Sequence, residues 1–541
     1  MILTKTNYSV IADCKGMYEQ EIIDTILENR RIKDMEHFLN PREEDLLSLD
    51  SLMKIDEARQ IVELGIDNNK TFGVFFDVDL DGVSSGTIMT RYLQKYTDNI
   101  LTYINKGKAH GLIGQDLERF DEVDILIIVD SLDKDTSQYE ILHKKGKQII
   151  VLDHHSIDSN IDYDSYVALV SSQRNYNNPN LSGAGVVWKF CKYLDEYFLN
   201  DYADEYIDLA ACGILADVCS VSEENKENRY IVNEGLKSLK NPAIKKIIGG
   251  YEFNSKAILF SVAPLINACC RIGRNNIAMQ LFLSDDNKEV LSLKKQLEEC
   301  KEIQAQELEN ILPSVYEDFN KQGDAKVLYT IIDTEYGISG VIGNKCLEIY
   351  NKPMFILKDC GDQYRGSMRS VGYEDFMGLC NSTDLAVLNG HEQASGIEID
   401  KENFEEFLET LNWQLLNIEQ TTSSDVEVDC EINLEDITGT LVDKVKEINK
   451  ISGAGFKPIT FKVVNITEYE IGSFKHGKHL VITPTDYIQL IEWNTKANYE
   501  ELEDCALMNE PIEVIGELDG GFFARKYMLK VIISNLKVGV I

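Results

Sequence analysis

The chain has 541 residues, too many for one ordinary hydrophobic core, so we expect three or four domains. Hydrophobic residues make up 44% and charged residues 27%, a balance that excludes a chain disordered throughout. The formal net charge of −37 works against non-specific attraction to nucleic acid. A nucleic-acid role would therefore require a local basic surface, or phosphate contacts made through metal ions.

No run of residues approaches the ~20 apolar positions of a membrane-spanning helix, so we expect no membrane partner. The first residues lack the basic flank and apolar block of a signal peptide, and the twelve cysteines follow no disulfide or zinc spacing. We therefore expect reduced thiols, a cytoplasmic location and a monomer.

The predicted domains follow one another in five parts. They are an N-terminal arm (1–50), an α/β domain with a parallel sheet (51–255), an interlobe region with a long connecting helix (256–322), a smaller α/β domain (323–418) and a C-terminal β domain (425–541). A short polar linker, 419–425, precedes the last of these.

Four short apolar runs predict the strands of the parallel sheet, at 72–76, 123–129, 148–152 and 166–170. They show little alternation, as expected of strands buried on both faces, and helical patterns lie between them. In open sheets of this kind, ligands bind beyond the carboxyl ends of the strands.

Acidic and imidazole side chains follow three of these runs directly. Asp77, Asp79 and Asp81 follow the first run within DVDLDG, Asp130 follows the second, and Asp153, His154 and His155 follow the third. Asp217 ends a later helical segment in GILAD. Alternate residues of an extended segment point to one side, so the three carboxylates of DVDLDG can address one volume, where cations would neutralise their repulsion.

Each of these residues alone has a commoner structural explanation. An acidic triplet is usually a solvated loop, adjacent histidines are usually incidental, and a single aspartate at a helix end is usually a cap. A calcium-binding EF-hand loop is excluded, because its twelfth position is Ile88 and a strand precedes it. Convergence on one sheet edge favours a metal site, and imidazole among carboxylates favours manganese or magnesium over zinc.

These motifs, in this order, resemble the four motifs of the DHH phosphoesterase superfamily. Beyond them, the chain resembles the RecJ family of single-strand-specific exonucleases at HFLNP (37–41), PLINACCRIGR (264–274), GSMRS (366–370), NGHEQASG (389–396) and ISGAGFKPITFKV (451–463). Cys270 and Asn389 stand where that family has glycine, and Ala109-His110 replaces its usual Gly-Tyr after Lys106.

The resemblance implies a DHH phosphoesterase domain, a DHH-associated domain joined to it by the long helix, and a C-terminal OB-like barrel. It implies a 5′ to 3′ exonuclease for single-stranded DNA, with two divalent cations, Mn²⁺ or Mg²⁺, acting in repair or recombination. A single-strand-binding protein or a helicase is the expected class of protein partner. Basic residues and phenylalanines near the C-terminus suit single-strand binding by an OB fold.

The resemblance also implies roles for individual residues. One ion would be held by Asp79 and Asp130 with Asp77 assisting, and the other by Asp81, Asp130, His154 and Asp217. His155 would contact the reacting phosphate or the attacking water, and Asp153 would orient the imidazoles. The implied substrate contacts are Asn267, Arg271, Arg274, Ser367, Arg369, Gly390 and His391.

Two alternatives stay open at this point. A DHH phosphodiesterase acting on short oligonucleotides or other small phosphate substrates would share the metal motifs, but it would not need the connecting helix and the C-terminal domain. A non-catalytic scaffold protein of DNA replication would be expected to have lost metal-binding residues, whereas this sequence has a ligand residue at each of the expected positions.

Overall fold

The computed structural model describes residues 8–106, 110–416, 418, 420, 426–475, 477–493, 495, 499–508, 510–523 and 526–538. These residues form three sheets, two of five strands and one of eight. None of the described helices combines the length and the apolar character that crossing a bilayer would require.

The N-terminal segment belongs to the last of the three sheets. It contains β1 (Tyr8–Asp13), α1 (Glu19–Asn29) and α2 (Met35–Leu39). β1 pairs in parallel with the strand at Val426–Asn433, and α1 buries an apolar face that includes Ile22 and Ile26. The sequence predicts a separate N-terminal arm and gives no sign of this pairing.

A disulfide joins Cys14 to Cys430 beside this ladder, with Cα atoms 6.0 Å apart. The prediction that all cysteines are reduced is therefore wrong for this pair. Sequence spacing could not show it, because 416 residues separate the two cysteines and only the pairing of β1 brings them together.

The first α/β lobe has a fully parallel sheet in the order β3-β2-β4-β5-β6. Its elements are α3 (Ile55–Asp67), β2 (Phe72–Phe76), α4 (Leu80–Leu93), β3 (Ile100–Ile104), β4 (Ile125–Val129), α5 (Ser137–Lys144), β5 (Gln148–Asp153), β6 (Ala168–Ser171), α6 (Gly183–Phe198), α7 (Ile207–Ala216), α8 (Lys226–Lys237) and α9 (Pro242–Ile248). The four predicted strands are confirmed. β3 was not among them, and it is a half-exposed edge strand with a weaker apolar pattern.

A helical region connects the lobes. Its elements are α10 (Ser255–Ala257), a π-helical turn (Ile258–Val262), α11 (Ala263–Arg271), α12 (Asn275–Leu283) and α13 (Asn287–Lys321). α13 has 35 residues, and the Asp286 side chain caps its start. Its first half buries Leu293 and Leu297 in the core of the first lobe, and its second half buries Val315 and Phe319 in that of the second. The predicted connecting helix is confirmed.

The second α/β lobe has a mixed sheet in the order β10-β11-β9-β8-β7, in which only β7 and β8 are parallel. Its elements are β7 (Leu328–Ile332), α14 (Ser339–Tyr350), β8 (Met354–Asp359), β9 (Gln363–Arg369), α15 (Phe376–Asn381), β10 (Ala386–His391), β11 (Ala394–Asp400) and α16 (Phe404–Leu415).

The C-terminal region contributes seven strands to the eight-stranded sheet, in the order β1-β12-β13-β17-β18-β16-β15-β14. Its elements are β12 (Val426–Asn433), α17 (Gly439–Asn449), β13 (Phe461–Ile466), β14 (Glu470–Phe474), β15 (His479–Thr485), β16 (Ile488–Glu492), α18 (Tyr499–Leu507), β17 (Ile512–Phe523) and β18 (Lys526–Val538). These seven strands and β1 form one sheet of eight, whereas an OB fold has five strands, so an OB-like barrel stays a prediction. Of the predicted linker, only Gln420 lies within the described residues.

Short 3-10 turns complete the chain at Glu43–Asp45, Leu49–Ser51, Leu117–Phe120, Tyr202–Tyr206, Lys401–Asn403 and Leu434–Asp436. The C-terminal region docks on the first lobe through the loop after α17. In that loop, the carbonyl of Ala454 accepts a hydrogen bond from the Val221 N–H at 2.8 Å, and the carbonyl of Lys450 accepts one from the Ser255 N–H at 3.1 Å.

Candidate metal centre

The carboxyl ends of β2, β4 and β5 meet at one edge of the parallel sheet, where the end of α7 joins them. Ligand atoms fall into three groups, each with all its atoms within 4.8 Å of one another: Asp77, Asp79 and Asp130; Asp130, His154 and His155; and His154, Asp217 and Cys219. Asp130 belongs to two groups and His154 to two, so the three groups form one continuous cluster.

Asp130 lies at the centre of this cluster. It is 2% exposed, and among the described residues its Oδ1 atom has no hydrogen-bond partner. That atom lies 3.2 Å from Nε2 of His154. The backbone of Asp130 is in the left-handed region, with φ +54°, a conformation that non-glycine residues rarely adopt. Nδ1 of His155 lies 3.8 Å from the same oxygen. A buried carboxylate oxygen that accepts no hydrogen bond is costly, and a cation at this position would offset the cost.

Gly183 makes room for Asp130. A Cβ atom at position 183 would lie 2.6 Å from Asp130 Oδ1, closer than real contacts allow. Because α6 begins at this glycine, its first turn can approach the carboxylate directly. The glycine therefore keeps open the space beside the unpartnered oxygen.

Asp77 and Asp79 form the side of the cluster next to β2. Asp79 caps α4 by accepting a hydrogen bond from the Gly82 N–H at 3.0 Å. Asp77 accepts one from the Ser131 hydroxyl at 3.2 Å and lies 3.4 Å from Nδ1 of His110. Burial and the negative charge of Asp77 raise the pKa of Asp79 to about 6. This crowding of carboxylates is what a cation would relieve.

Asp81, a predicted metal ligand, also has a structural role. Its two oxygens accept hydrogen bonds from the Gly183 N–H at 2.8 Å and the Ala184 N–H at 2.9 Å, which fixes the start of α6 against α4. A Cβ atom at Gly213 would collide with this carboxylate. Oδ2 of Asp81 lies 3.7 Å from Nε2 of His154, and the role of Asp81 as a metal ligand stays a prediction.

The two adjacent histidines differ in electrostatic environment. Burial lowers the pKa of His154, which keeps its imidazole in the neutral form that binds metals. Burial acts in the same direction on His155, but the negative charge of Asp153 outweighs it and raises the pKa of His155 to about 10. The Asp153 carboxylate lies 3.1 Å from Nδ1 of His155 and also accepts the Leu132 N–H at 2.8 Å. This contact holds the ring of His155 against Asp153, and the role of Asp153 in orienting both imidazoles stays a prediction.

Two of the predicted substrate-binding arginines, Arg271 and Arg369, come together where α11 meets the second lobe. Among the described residues, neither Arg271 nor Arg369 forms an ion pair, and the two are close enough that burial and the charge of Arg271 both lower the pKa of Arg369. The hydroxyls of Ser339 and Ser367 lie 2.8 Å apart at the N-terminus of α14. The absence of a side chain at Gly340 leaves room for the Arg369 guanidinium. Both guanidinium groups donate hydrogen bonds to neutral oxygens, of Gln304 for Arg271 and of Asn344 and Met368 for Arg369. Two guanidinium groups without carboxylate partners, beside a helix N-terminus, suit a phosphate.

The other predicted substrate residues are less informative. Asn267 is half-buried on α11, and Arg274 is exposed at the start of α12, with no contact to the cluster among the described residues. Gly390 has a φ of +135°, a backbone conformation that a residue with a side chain would adopt only with strain. The backbone of His391 ends β10, and its side chain lies outside the described structure.

Sequence reasoning missed several residues that shape the centre. Asp133 accepts hydrogen bonds from the Leu112 N–H at 2.7 Å and the Ile113 N–H at 3.0 Å, which holds the loop carrying His110 beside Asp77. Cys219 lies two residues after Asp217, and its thiol faces that carboxylate. The nearness of Asp133 to Asp130 and of Cys219 to Asp217 in the chain was the available signal.

Comparison with known proteins gives consistent results. Residues 71–214 match the DHH family, N-terminal domain. The chain is 27% identical over 581 residues to the putative SPbeta prophage-derived single-strand DNA-specific exonuclease YorK of Bacillus subtilis, and the match covers 98% of each protein. It is 24% identical to the single-stranded-DNA-specific exonuclease RecJ of Bacillus subtilis, over 89% of this chain and 63% of that protein.

Among solved structures, RecJ of Thermus thermophilus in complex with Mn²⁺ superposes with a TM-score of 0.76 at 21% identity, covering 98% of this chain and 79% of that one. The Mg²⁺ complex of the same protein gives a TM-score of 0.70. At this level of identity the superposition establishes a shared fold.

Proposed function

We propose that this chain, a RecJ-type member of the DHH superfamily, is a metal-dependent exonuclease that removes nucleotides from the 5′ end of single-stranded DNA. The reaction is the hydrolysis of a phosphodiester bond by water, with two divalent cations, manganese or magnesium. Its use would be in DNA repair or recombination.

The observation that carries this proposal is the position of Asp130. Its unpartnered, buried oxygen lies between two groups of ligand atoms, one with Asp77 and Asp79 and one with the histidines. A carboxylate shared in this way is the arrangement expected when one residue bridges two cations.

The ligand groups divide between two cation positions. Asp77, Asp79 and Asp130 would hold one ion, and Asp130, His154 and Asp217 would hold the other, with Asp81 beside them. When bound, two cations would acidify a water molecule for attack and neutralise charge that develops on the phosphate.

His155 acts on the phosphate from the edge of this cluster. Because Asp153 accepts from Nδ1 of His155, the other ring nitrogen is left to donate a hydrogen bond to a phosphate oxygen. The raised pKa keeps this ring protonated at neutral pH, which favours contact with an anion. Asp153 contributes indirectly, by fixing the ring.

Arg271, Arg369 and Ser367 would hold the end of the strand. A terminal phosphate carries more charge than an internal one, and two guanidinium groups without carboxylate partners match it. With the strand end held in the second lobe and its first phosphodiester bond at the metal centre, nucleotides would leave one at a time. The names of the similar proteins support single-stranded DNA as the substrate.

The test uses single strands and duplexes of DNA and RNA, labelled at either end, with manganese or magnesium. Asp130→Ala should abolish hydrolysis. Asp124→Ala is the matched control, because Asp124 precedes the amino end of β4 and Asp130 follows its carboxyl end, so this variant should retain activity.

Loss of nucleotides from the 5′ end of single-stranded DNA is the expected result. Degradation from the 3′ end, or equal activity on duplexes, would contradict the proposed substrate. Activity that survives Asp130→Ala would contradict the metal mechanism. Cleavage of dinucleotides alone would favour the small-substrate phosphodiesterase, and a folded, metal-binding, inactive chain would favour the scaffold.

A further inference from the structure

The turn after α7 brings a thiol into the metal centre. The helix ends in a Schellman motif, in which the Cys219 N–H donates to the Ile214 carbonyl at 3.0 Å and the Val218 N–H donates to the Leu215 carbonyl at 3.3 Å. Val218 occupies the left-handed position, with φ +57°, where glycine is usual, and is 67% exposed. The reversal at Val218 leaves Asp217 and Cys219 facing each other.

The three ligand atoms of this group lie within 4.8 Å of one another, and the two distances to Asp217 are close to those of a tetrahedral site. His154 Nε2 lies 3.5 Å from Asp217 Oδ2, and that oxygen lies 3.7 Å from Cys219 Sγ. Zinc bonds of about 2.0 to 2.3 Å at tetrahedral angles place neighbouring ligand atoms roughly 3.4 to 3.6 Å apart. The observed spacing therefore needs little adjustment to surround one ion.

A fourth oxygen is available next to this group. Oδ1 of Asp130, buried and without a hydrogen-bond partner among the described residues, lies 3.2 Å from Nε2 of His154. The donor set is then one sulfur, one nitrogen and two oxygens. Sulfur is a poor ligand for manganese and magnesium but a strong one for zinc and other soft cations.

We propose that His154, Asp217 and Cys219 form a binding site for a soft divalent cation of the zinc type. The site shares His154 and Asp217 with the predicted second manganese position, so a soft cation bound there excludes manganese from that position. As the sulfur–metal bond forms, the thiol proton passes to solvent, and no oxidant or reductant is needed. This inference concerns metal choice and does not depend on the DNA substrate.

The competing explanation is that Cys219 only makes the apolar contact that often accompanies a Schellman motif. Substitution of Cys219 by two residues separates the two explanations. Cys219→Val keeps the apolar contact without a ligand, and Cys219→Ser keeps the size with a harder donor. Cys212→Ala, a buried cysteine of α7 outside the three ligand groups, is the matched control.

The experiment titrates the metal-free full chain with Co²⁺, in the absence of DNA, and follows the thiolate-to-cobalt charge-transfer absorption in the near ultraviolet. The unsubstituted chain and Cys212→Ala should show this band, and Zn²⁺ should displace the cobalt. Both Cys219 variants should lose the band and bind Zn²⁺ about 10 to 100 times more weakly, the loss typical of weakened metal ligation.

Circular dichroism establishes that each variant is folded. A band of equal strength in either folded Cys219 variant, or its absence from the unsubstituted chain, would overturn the proposal. Because absorption is measured without nucleic acid, the result is independent of whether the chain degrades DNA. Loss of nuclease activity with an intact cobalt band would count against the proposed function alone.

Discussion

The raised pKa of Asp79 predicts that the metal-free chain loses stability as the pH rises. The proton on Asp79 stabilises the folded state. This contribution is fully present below pH 3.8, the ordinary pKa of the carboxyl in the unfolded chain, and is lost as the pH rises through the folded-state pKa of about 6. A shift of this size corresponds to about 3 kcal/mol in total, and to about 1.4 kcal/mol of it between pH 5 and pH 7.5. The first lobe should therefore be less stable at the higher pH when cations are removed with EDTA.

Urea denaturation followed by tryptophan fluorescence measures this effect. Trp188 is 1% exposed within α6, whereas Trp413 and Trp493 are 66% and 49% exposed, so replacing the latter two by phenylalanine leaves a reporter of the first lobe. In this background, Asp79→Asn removes the charge while keeping a residue suited to cap α4. The difference in unfolding free energy between the two pH values should shrink by about 1.4 kcal/mol.

Asp124→Asn provides the control. A backbone hydrogen bond from Thr71 lowers the pKa of the Asp124 carboxyl, so its contribution to stability changes only in more acidic solution. The control should show the same difference between pH 5 and pH 7.5 as the unsubstituted background. An equal difference in Asp79→Asn would refute the assignment of the pH dependence to this half-buried carboxylate.

Three further predictions concern single positions. Gly183→Ala places a methyl group against the Asp130 carboxylate, and metal affinity measured by calorimetry should fall at least tenfold while the helices are retained. Arg369→Ala should remove any preference, measured as a difference in KM, for strands with a 5′-phosphate over strands with a 5′-hydroxyl. Manganese affinity should not change. A preserved preference would show that Arg369 does not bind the terminal phosphate. Val218→Gly relieves a left-handed β-branched residue and should stabilise the first lobe by about 1 kcal/mol in urea, and destabilisation would show that the turn is not strained.

The metal centre could be predicted from sequence because its residues follow buried strands. Unbroken apolar runs in the sequence predict strands such as β2 and β4. Because the carboxyl ends of parallel strands meet at one sheet edge, Asp77, Asp130 and His154 come together whatever the details of the loops. The motif order then indicated the family, which the comparisons support.

The rest depends on contacts between distant segments. Gly183 matters because it lies against Asp130, which no local pattern reveals. The second task of Asp81, holding the start of α6, likewise depends on how two helices pack. Cys219 is near Asp217 in the chain, but only the turn at Val218 directs its thiol towards that carboxylate.

The pairing of β1 with β12 sets an order of events during synthesis. The two strands are held at Cys14 and Cys430, 416 residues apart, and at about 5 to 20 residues per second the ribosome needs roughly 20 to 80 seconds to make the intervening chain. For that time β1 has no partner strand, and the apolar face of α1 has no α17 to contact. The segment of β1 and α1 is thus among the last to reach its native position, although the first lobe, which lies between β1 and β12 in the chain, is synthesised before β12.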